Sequence, residues 1–159
     1  MSKEKLIVGA TLVAFVVWIM ARKSLTDTRG LRNNNPGNIK ELPGDTTQWV
    51  GERATDDDPI FEEFEFPEYG IRAMGRVFRS FRARGIITLA DIIYEWAPGF
   101  ENQTEAYISA VRQRTGWPRD HVVVEEEGDY TTLAEAIIHH ENGIQPYSLA
   151  FIEESIALA

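Results

Sequence analysis

The chain has no cysteine, so neither a disulfide nor a thiolate metal site holds it together, and its redox compartment is left open. Histidine is scarce: of three, two are adjacent, His139 and His140, and His121 stands alone. Adjacent residues on a helix point about 100° apart, so His139, His140 and Glu141 form a poor ligand set and no metal is expected. Gly-x-Ser-x-Gly, the Gly-x-x-x-x-Gly-Lys phosphate loop and His-Glu-x-x-His are all missing. Serine-hydrolase, nucleotide and zinc-protease chemistry lose their usual signatures with them, and no cofactor is expected. Positive charge is also short, with 16 Lys and Arg against 25 Asp and Glu, a formal net charge of −9. That balance argues against nucleic acid as a partner.

Long apolar runs are missing too, with one exception. Leu6 to Ala21 carries no charge and is bracketed by Lys3 and Lys5 before it and Arg22 and Lys23 after it. At ~1.5 Å per residue it covers about 24 Å, slightly less than a ~30 Å hydrocarbon core. Snorkelling of Lys5, Arg22 and Lys23, with Trp18 at the interface, makes up the difference. A cleavable signal peptide is the competing reading, but no Ala-x-Ala site follows. Residues 1–23 therefore read as a membrane anchor, residues 24–30 as a linker, and residues 31–159 as one domain. Basic residues on both sides leave the orientation open.

What is present is a folded domain with 43% hydrophobic residues. Arg29 to Lys40 strings together Asn33, Asn34, Asn35, Pro36, Gly37 and Asn38, which predicts an irregular, internally hydrogen-bonded loop. Its amides either face a cleft, where they suit sugar hydroxyls, or close their own turns. From Gln48 to Phe66 the pattern is strand-like, with Phe64 and Phe66 alternating with Glu63 and Glu65 around a solvated acidic face. The remainder is helical. One helix runs from about Ile71 to Arg84, burying Ile71, Met74, Val77, Phe78 and Phe81. Its Arg72, Arg76, Arg79 and Arg82 are expected to pair with the acidic strands. Thr88 caps a second helix, a third opens near Asn102 and stops at Gly116, and a last one starts near Pro146. The fold class expected is α+β, a small β-lobe followed by a cluster of short helices.

The helix before the last ends abruptly. Thr132 and Glu135 make a capping box, Gly143 is its stop, and Leu133, Ala136, Ile137 and His140 form an inward stripe. Glu141 sits in its final turn, where the helix dipole and partial burial both disfavour the charged carboxylate. A carboxyl kept protonated is what a general acid needs, although a solvated helix-end glutamate is the plain alternative.

Arg32-x-Asn34-Asn35-Pro36-Gly37-Asn38-Ile39, followed by Trp49-x-Gly51, Phe64-x-Phe66, Gly70-Ile-Arg-Ala73, Trp96-Ala-Pro98 and Glu101-Asn-x-Thr104, resembles a family of short phage and prophage proteins. These are regarded as lysozyme-like, cell-wall-degrading virion components. The resemblance spans roughly residues 29–148. Separately, Ala136 to Ser148 is similar to the catalytic segment of lytic transglycosylases, in which a helix ends in Glu-Ser-Gly-x-x-Pro; here Asn142 replaces the serine. In bacterial glucosaminidases a loop like residues 34–40 follows the catalytic helix, whereas here it precedes it. Together these imply a circularly permuted lysozyme-like fold.

By that resemblance the substrate is peptidoglycan and the bond is the MurNAc–GlcNAc β-1,4 linkage, with Glu141 as acid and then base. Lytic transglycosylation needs one carboxyl, whereas a hydrolase needs a second, for which Glu52 is the candidate. Arg32, Asn34, Asn35, Asn38, Trp49, Tyr107 and Tyr147 are the expected substrate contacts, with Trp49 as a stacking platform and Tyr107 as an orienting hydroxyl. Each also has a core or turn reading. The implied location is membrane-anchored through residues 6–21, either in the virion beside other virion proteins or in the host inner membrane facing the periplasm. A non-catalytic, membrane-anchored structural or glycan-binding virion protein is the alternative.

Overall fold

The computed structural model describes residues 28–159 apart from positions 43, 45, 56 and 100, and at positions 101 and 102 the backbone only. It contains six α-helices: α1 (Arg29–Arg32), α2 (Pro67–Ala83), α3 (Leu89–Trp96), α4 (Glu101–Thr115), α5 (Asp129–Asn142) and α6 (Leu149–Ala157), with a 3-10 turn at Glu125–Glu127 before α5. The organising element is α5. Tyr130, Leu133, Ala134, Ala136, Ile137 and Ile138 are all buried, so the helix is apolar nearly all round and sits inside the others. It packs against α4, α6, α2 and α1, and α2 also lies along α6. Each fully buried Leu or Ile here contributes roughly 1.5–3 kcal/mol through removal from water.

Local chemistry explains most helix limits. Pro67 opens α2 as its first residue, where its missing N–H is no loss. Ile71, Met74, Phe78 and Phe81 are buried along one face of α2, and Val77 packs on the edge of the core. Thr88 caps α3 by accepting from the Asp91 amide at 3.3 Å. Gly143, at φ 69°, ends α5 in the left-handed conformation that only glycine adopts without strain. The start of α5 differs from expectation. It begins at Asp129 after Gly128, with no side-chain cap, so Thr132 and Glu135 lie within the helix and form no capping box. Helix α6 starts at Leu149 with Ser148 as its cap, later than Pro146.

The expected α+β class is corrected. Among the described residues there is no β-strand, only isolated bridges pairing Lys40 with Phe61, Glu52 with Phe64 and Thr88 with Val122. Residues 48–66 form an irregular layer whose backbone groups are met by side chains. Asn34 Nδ2 donates to the carbonyls of Phe64 (2.9 Å) and Glu65 (3.0 Å), and Arg53 Nε donates to Phe64 at 3.0 Å. The alternation fails as well, because Phe64 is fully buried while Phe66 is 55% exposed. Of the acidic face, Glu65 is exposed as expected, but Glu63 is buried and takes a hydrogen bond from Arg53 (2.7 Å), and its neighbour Glu62 is buried with one from Trp49 Nε1 (3.2 Å). With no β-lobe to form its second wall, the circularly permuted lysozyme-like arrangement is not retained.

The arginines of α2 do not pair with this layer either. Arg79 pairs with Glu125, Arg82 donates to the Val123 carbonyl and Arg72 to that of Leu158. Residues 6–21, read as a transmembrane helix, lie outside the described residues. Among the described residues no helix is long and apolar enough to cross a membrane. Within the stretch read as linker, Gly30 is buried and Thr28 Oγ1 donates to Asn142 Oδ1 at 2.6 Å, so residues 28–30 belong to the packed body.

Candidate functional site

The asparagine loop and the end of α5 are joined by one buried side chain. Asn142 Nδ2 donates both to the Ile138 carbonyl within α5 and to the Pro36 carbonyl of the loop, each at 2.8 Å. The loop reaches this position because Gly37 lies flat against α2 and α3; a Cβ there would stand 2.9 Å from both Met74 and Trp96. Asn34 and Asn38 take positive φ values, 51° and 52°, which asparagine tolerates better than other non-glycine residues. The second of these turns aims the Asn38 amide at Glu141.

Glu141 is half-buried, and both of its oxygens accept hydrogen bonds. Asn38 Nδ2 donates to Oε2 and the Tyr107 hydroxyl to Oε1, each at 2.8 Å. Burial, with the nearby Glu141 charge, pushes the Tyr107 hydroxyl well above its ordinary pKa, so it remains a donor. The Tyr107 ring stacks on His140 with centroids 3.7 Å apart. His140 was expected inward but is exposed at the helix surface. The shielding of its ring lowers its pKa below the ordinary 6.5, against the opposing pull of Glu141.

This group opens on a cleft of about 370 Å³. Lys40, Trp96, Pro98, Gln103 and Thr104 complete its wall with Asn38, Tyr107 and Glu141. The motif Trp96-Ala97-Pro98 with Thr104 was visible in the sequence, and the structure explains its spacing: Thr104 Oγ1 donates to the Ala97 carbonyl at 3.2 Å. Lys40 and His140 carried no sequence signal as wall residues. Glu141 is the one carboxylate among the described side chains that line this cleft.

Of the other expected contacts, Trp49 lines a second, larger cleft of about 1020 Å³, which shares Asn38, Lys40, Trp96 and Pro98 with the first. Glu52 lies outside both clefts, exposed, and accepts from the Trp49 amide at 2.9 Å. Asn34 and Asn35 also lie outside them. Asn35 is fully buried, with Nδ2 on the carbonyls of Ile39 (2.8 Å) and Glu62 (2.9 Å) and Oδ1 on the Ile39 amide. It holds the loop to the irregular layer. Arg32 is exposed away from both clefts, and its carbonyl accepts from Arg53. Tyr147 stacks on Phe151 and packs on the core, where burial raises its hydroxyl pKa to about 12. No three-residue cluster able to hold a metal occurs among the described residues.

No protein-family model matches the chain. Over 140 residues it is 43% identical to Protein P5 of Pseudoalteromonas phage PM2, covering 87% of this chain and 86% of that protein.

Proposed function

This chain belongs to the family of Protein P5 of phage PM2, and we propose that it is a virion-associated phage enzyme that cleaves peptidoglycan at the MurNAc–GlcNAc β-1,4 bond. The observation that carries this reading is Glu141, held by Asn38 and Tyr107 in an open cleft with no second carboxylate among the described lining side chains. A single carboxyl is enough for lytic transglycosylation. Protonated Glu141 gives its proton to the glycosidic oxygen as the C1–O4 bond breaks. The resulting carboxylate then takes the proton of the muramic 6-hydroxyl, and O6 bonds to C1, closing the anhydro ring. Tyr107 and Asn38 orient the carboxyl through both steps. Hydrolysis by the two-carboxylate route draws no support from Glu52, which sits outside the cleft.

A second reading has its own observation. Both Glu141 oxygens are already occupied by donors of the same chain, as in a cleft that binds glycan without cutting it. Digestion of purified peptidoglycan by the full-length chain, wild type beside Glu141→Gln, separates the two when products are read by mass spectrometry. Anhydromuropeptides from the wild type alone are expected. Products with reducing ends would replace transglycosylation by hydrolysis, and equal activity in both proteins would remove Glu141 from the mechanism. No products from folded wild type, with retained glycan binding, would favour the non-catalytic reading.

A further inference from the structure

The second cleft has a feature that the chemistry at Glu141 does not use. Along α2 and its C-terminal cap, Arg72, Arg76, Ser80 and Arg84 line one wall at four-residue intervals, a row about 18 Å long at ~1.5 Å per residue. Lys40 faces the same space, on the side shared with the Glu141 cleft. Arg84 is balanced by Glu95 at 2.7 Å, and Arg72 spends its Nε on the Leu158 carbonyl. Arg76 and Lys40 are exposed and have no anionic partner among the described residues.

Arg72 and Arg76, four residues apart on the helix, repel each other, which is unfavourable in the free protein. It is also out of character for a chain of net charge −9. Glu95 is the one carboxylate among the described residues lining this cleft. The other wall supplies Trp49 together with Leu42 and Val50, which are 58% and 52% exposed. A cationic row facing apolar and aromatic side chains suits an extended ligand that carries carboxylates on an otherwise uncharged backbone.

We propose that this second cleft binds the carboxylate-bearing peptide stems of the glycan strand, with Arg76 and Lys40 as the recognising cations, while the sugar chain continues past Lys40 and Trp96 to Glu141. The proposal rests on the peptidoglycan reading above, but it concerns binding and not cleavage. Peptide-bearing strands then bind better than the same strands stripped of peptide, and the preference weakens with salt.

The test is calorimetric titration of the full-length chain carrying Glu141→Gln with soluble peptide-bearing glycan fragments and, as the peptide-free comparison, with N-acetylglucosamine oligomers of equal length, which carry no carboxylate. Adding Arg76→Ala, which lines only the second cleft, should weaken binding of peptide-bearing fragments about tenfold or more and leave peptide-free fragments unaffected, with Arg76→Lys retaining most of the preference. Circular dichroism confirms that each variant is folded. An equal loss for both kinds of fragment, or no loss for either, would overturn the proposal. So would Arg76-dependent binding to phosphatidylglycerol vesicles without a preference for peptide-bearing glycan, which would assign the row to a lipid surface. Because the readout is binding by a protein with Glu141 already replaced, a failure of the cleavage reading leaves this result interpretable.

Discussion

Glu141, Tyr107 and His140 show how much one contact changes the chemistry of a side chain. The Tyr107 hydroxyl donates to Glu141 at 2.8 Å, so Tyr107→Phe removes a hydrogen bond to a charged group and leaves ring packing in place. On the proposed lytic reading, losing roughly 1.5 kcal/mol of orientation should lower kcat about tenfold. Circular dichroism and the unfolding midpoint should stay nearly unchanged, which separates this outcome from a folding defect. His140 supplies a second expectation. Its ring lies against Tyr107, and desolvation moves its pKa below 6.5, so it is neutral at pH 7. Charging it costs more in the folded protein than in the unfolded chain, so its contribution to stability declines as pH falls through 6.5 towards the folded value. An NMR titration of the His140 ring should give a midpoint below 6.5. Tyr107→Ala should bring that midpoint back towards it by opening the shielded face to water.

Helix ends divide the chain into what was legible and what was not. Thr88 and Gly143 act through their own backbone neighbours, and both were readable. Thr88→Ala removes the oxygen that accepts from the Asp91 amide and should cost about 1 kcal/mol in urea unfolding. The start of α5 was hidden because Thr132 and Glu135 mimic a cap. In the fold, Glu135 pairs with Arg114 on α4, and the helix begins four residues earlier, at Asp129 after Gly128. The strand-like alternation around Phe64 misled for a related reason. It presumes that backbone groups are met by a neighbouring strand, whereas here Asn34, Asn35 and Arg53 reach over from elsewhere and meet them. Local pattern has no access to partners some thirty residues away. The site was half legible on the same grounds: Glu141, Asn38 and Tyr107 were each named, but Lys40 joins them only through the tertiary fold.

For the molecule as a whole, Asp58 ties the start of the described chain to the irregular layer. It accepts from Arg29 Nε and from Asn33 Nδ2, each at 2.6 Å, and from the amides of Ile60 and Phe61. Arg29, followed by the other donors, holds its carboxyl well below the usual carboxylate range. The stability it contributes is present above the unfolded value near ~3.9 and is lost as pH falls through the folded value. In urea unfolding at a series of pH values, wild type should exceed Asp58→Asn at pH 7, and the difference should shrink below about pH 4. The link between Asn142 and Pro36 has a consequence of another kind. These residues are 106 positions apart, and Thr28 and Asn142 are 114 apart, so the side of the site built by the asparagine loop is not assembled locally. During synthesis, the loop can be tied to the irregular layer early, but its link to α5 waits until more than a hundred further residues have left the ribosome. Contacts of such long sequence separation raise the contact order and carry a loop-closure cost that slows folding. A nascent or prematurely terminated chain therefore lacks the loop's side of the Glu141 site, so whatever that site does begins only once translation is finished.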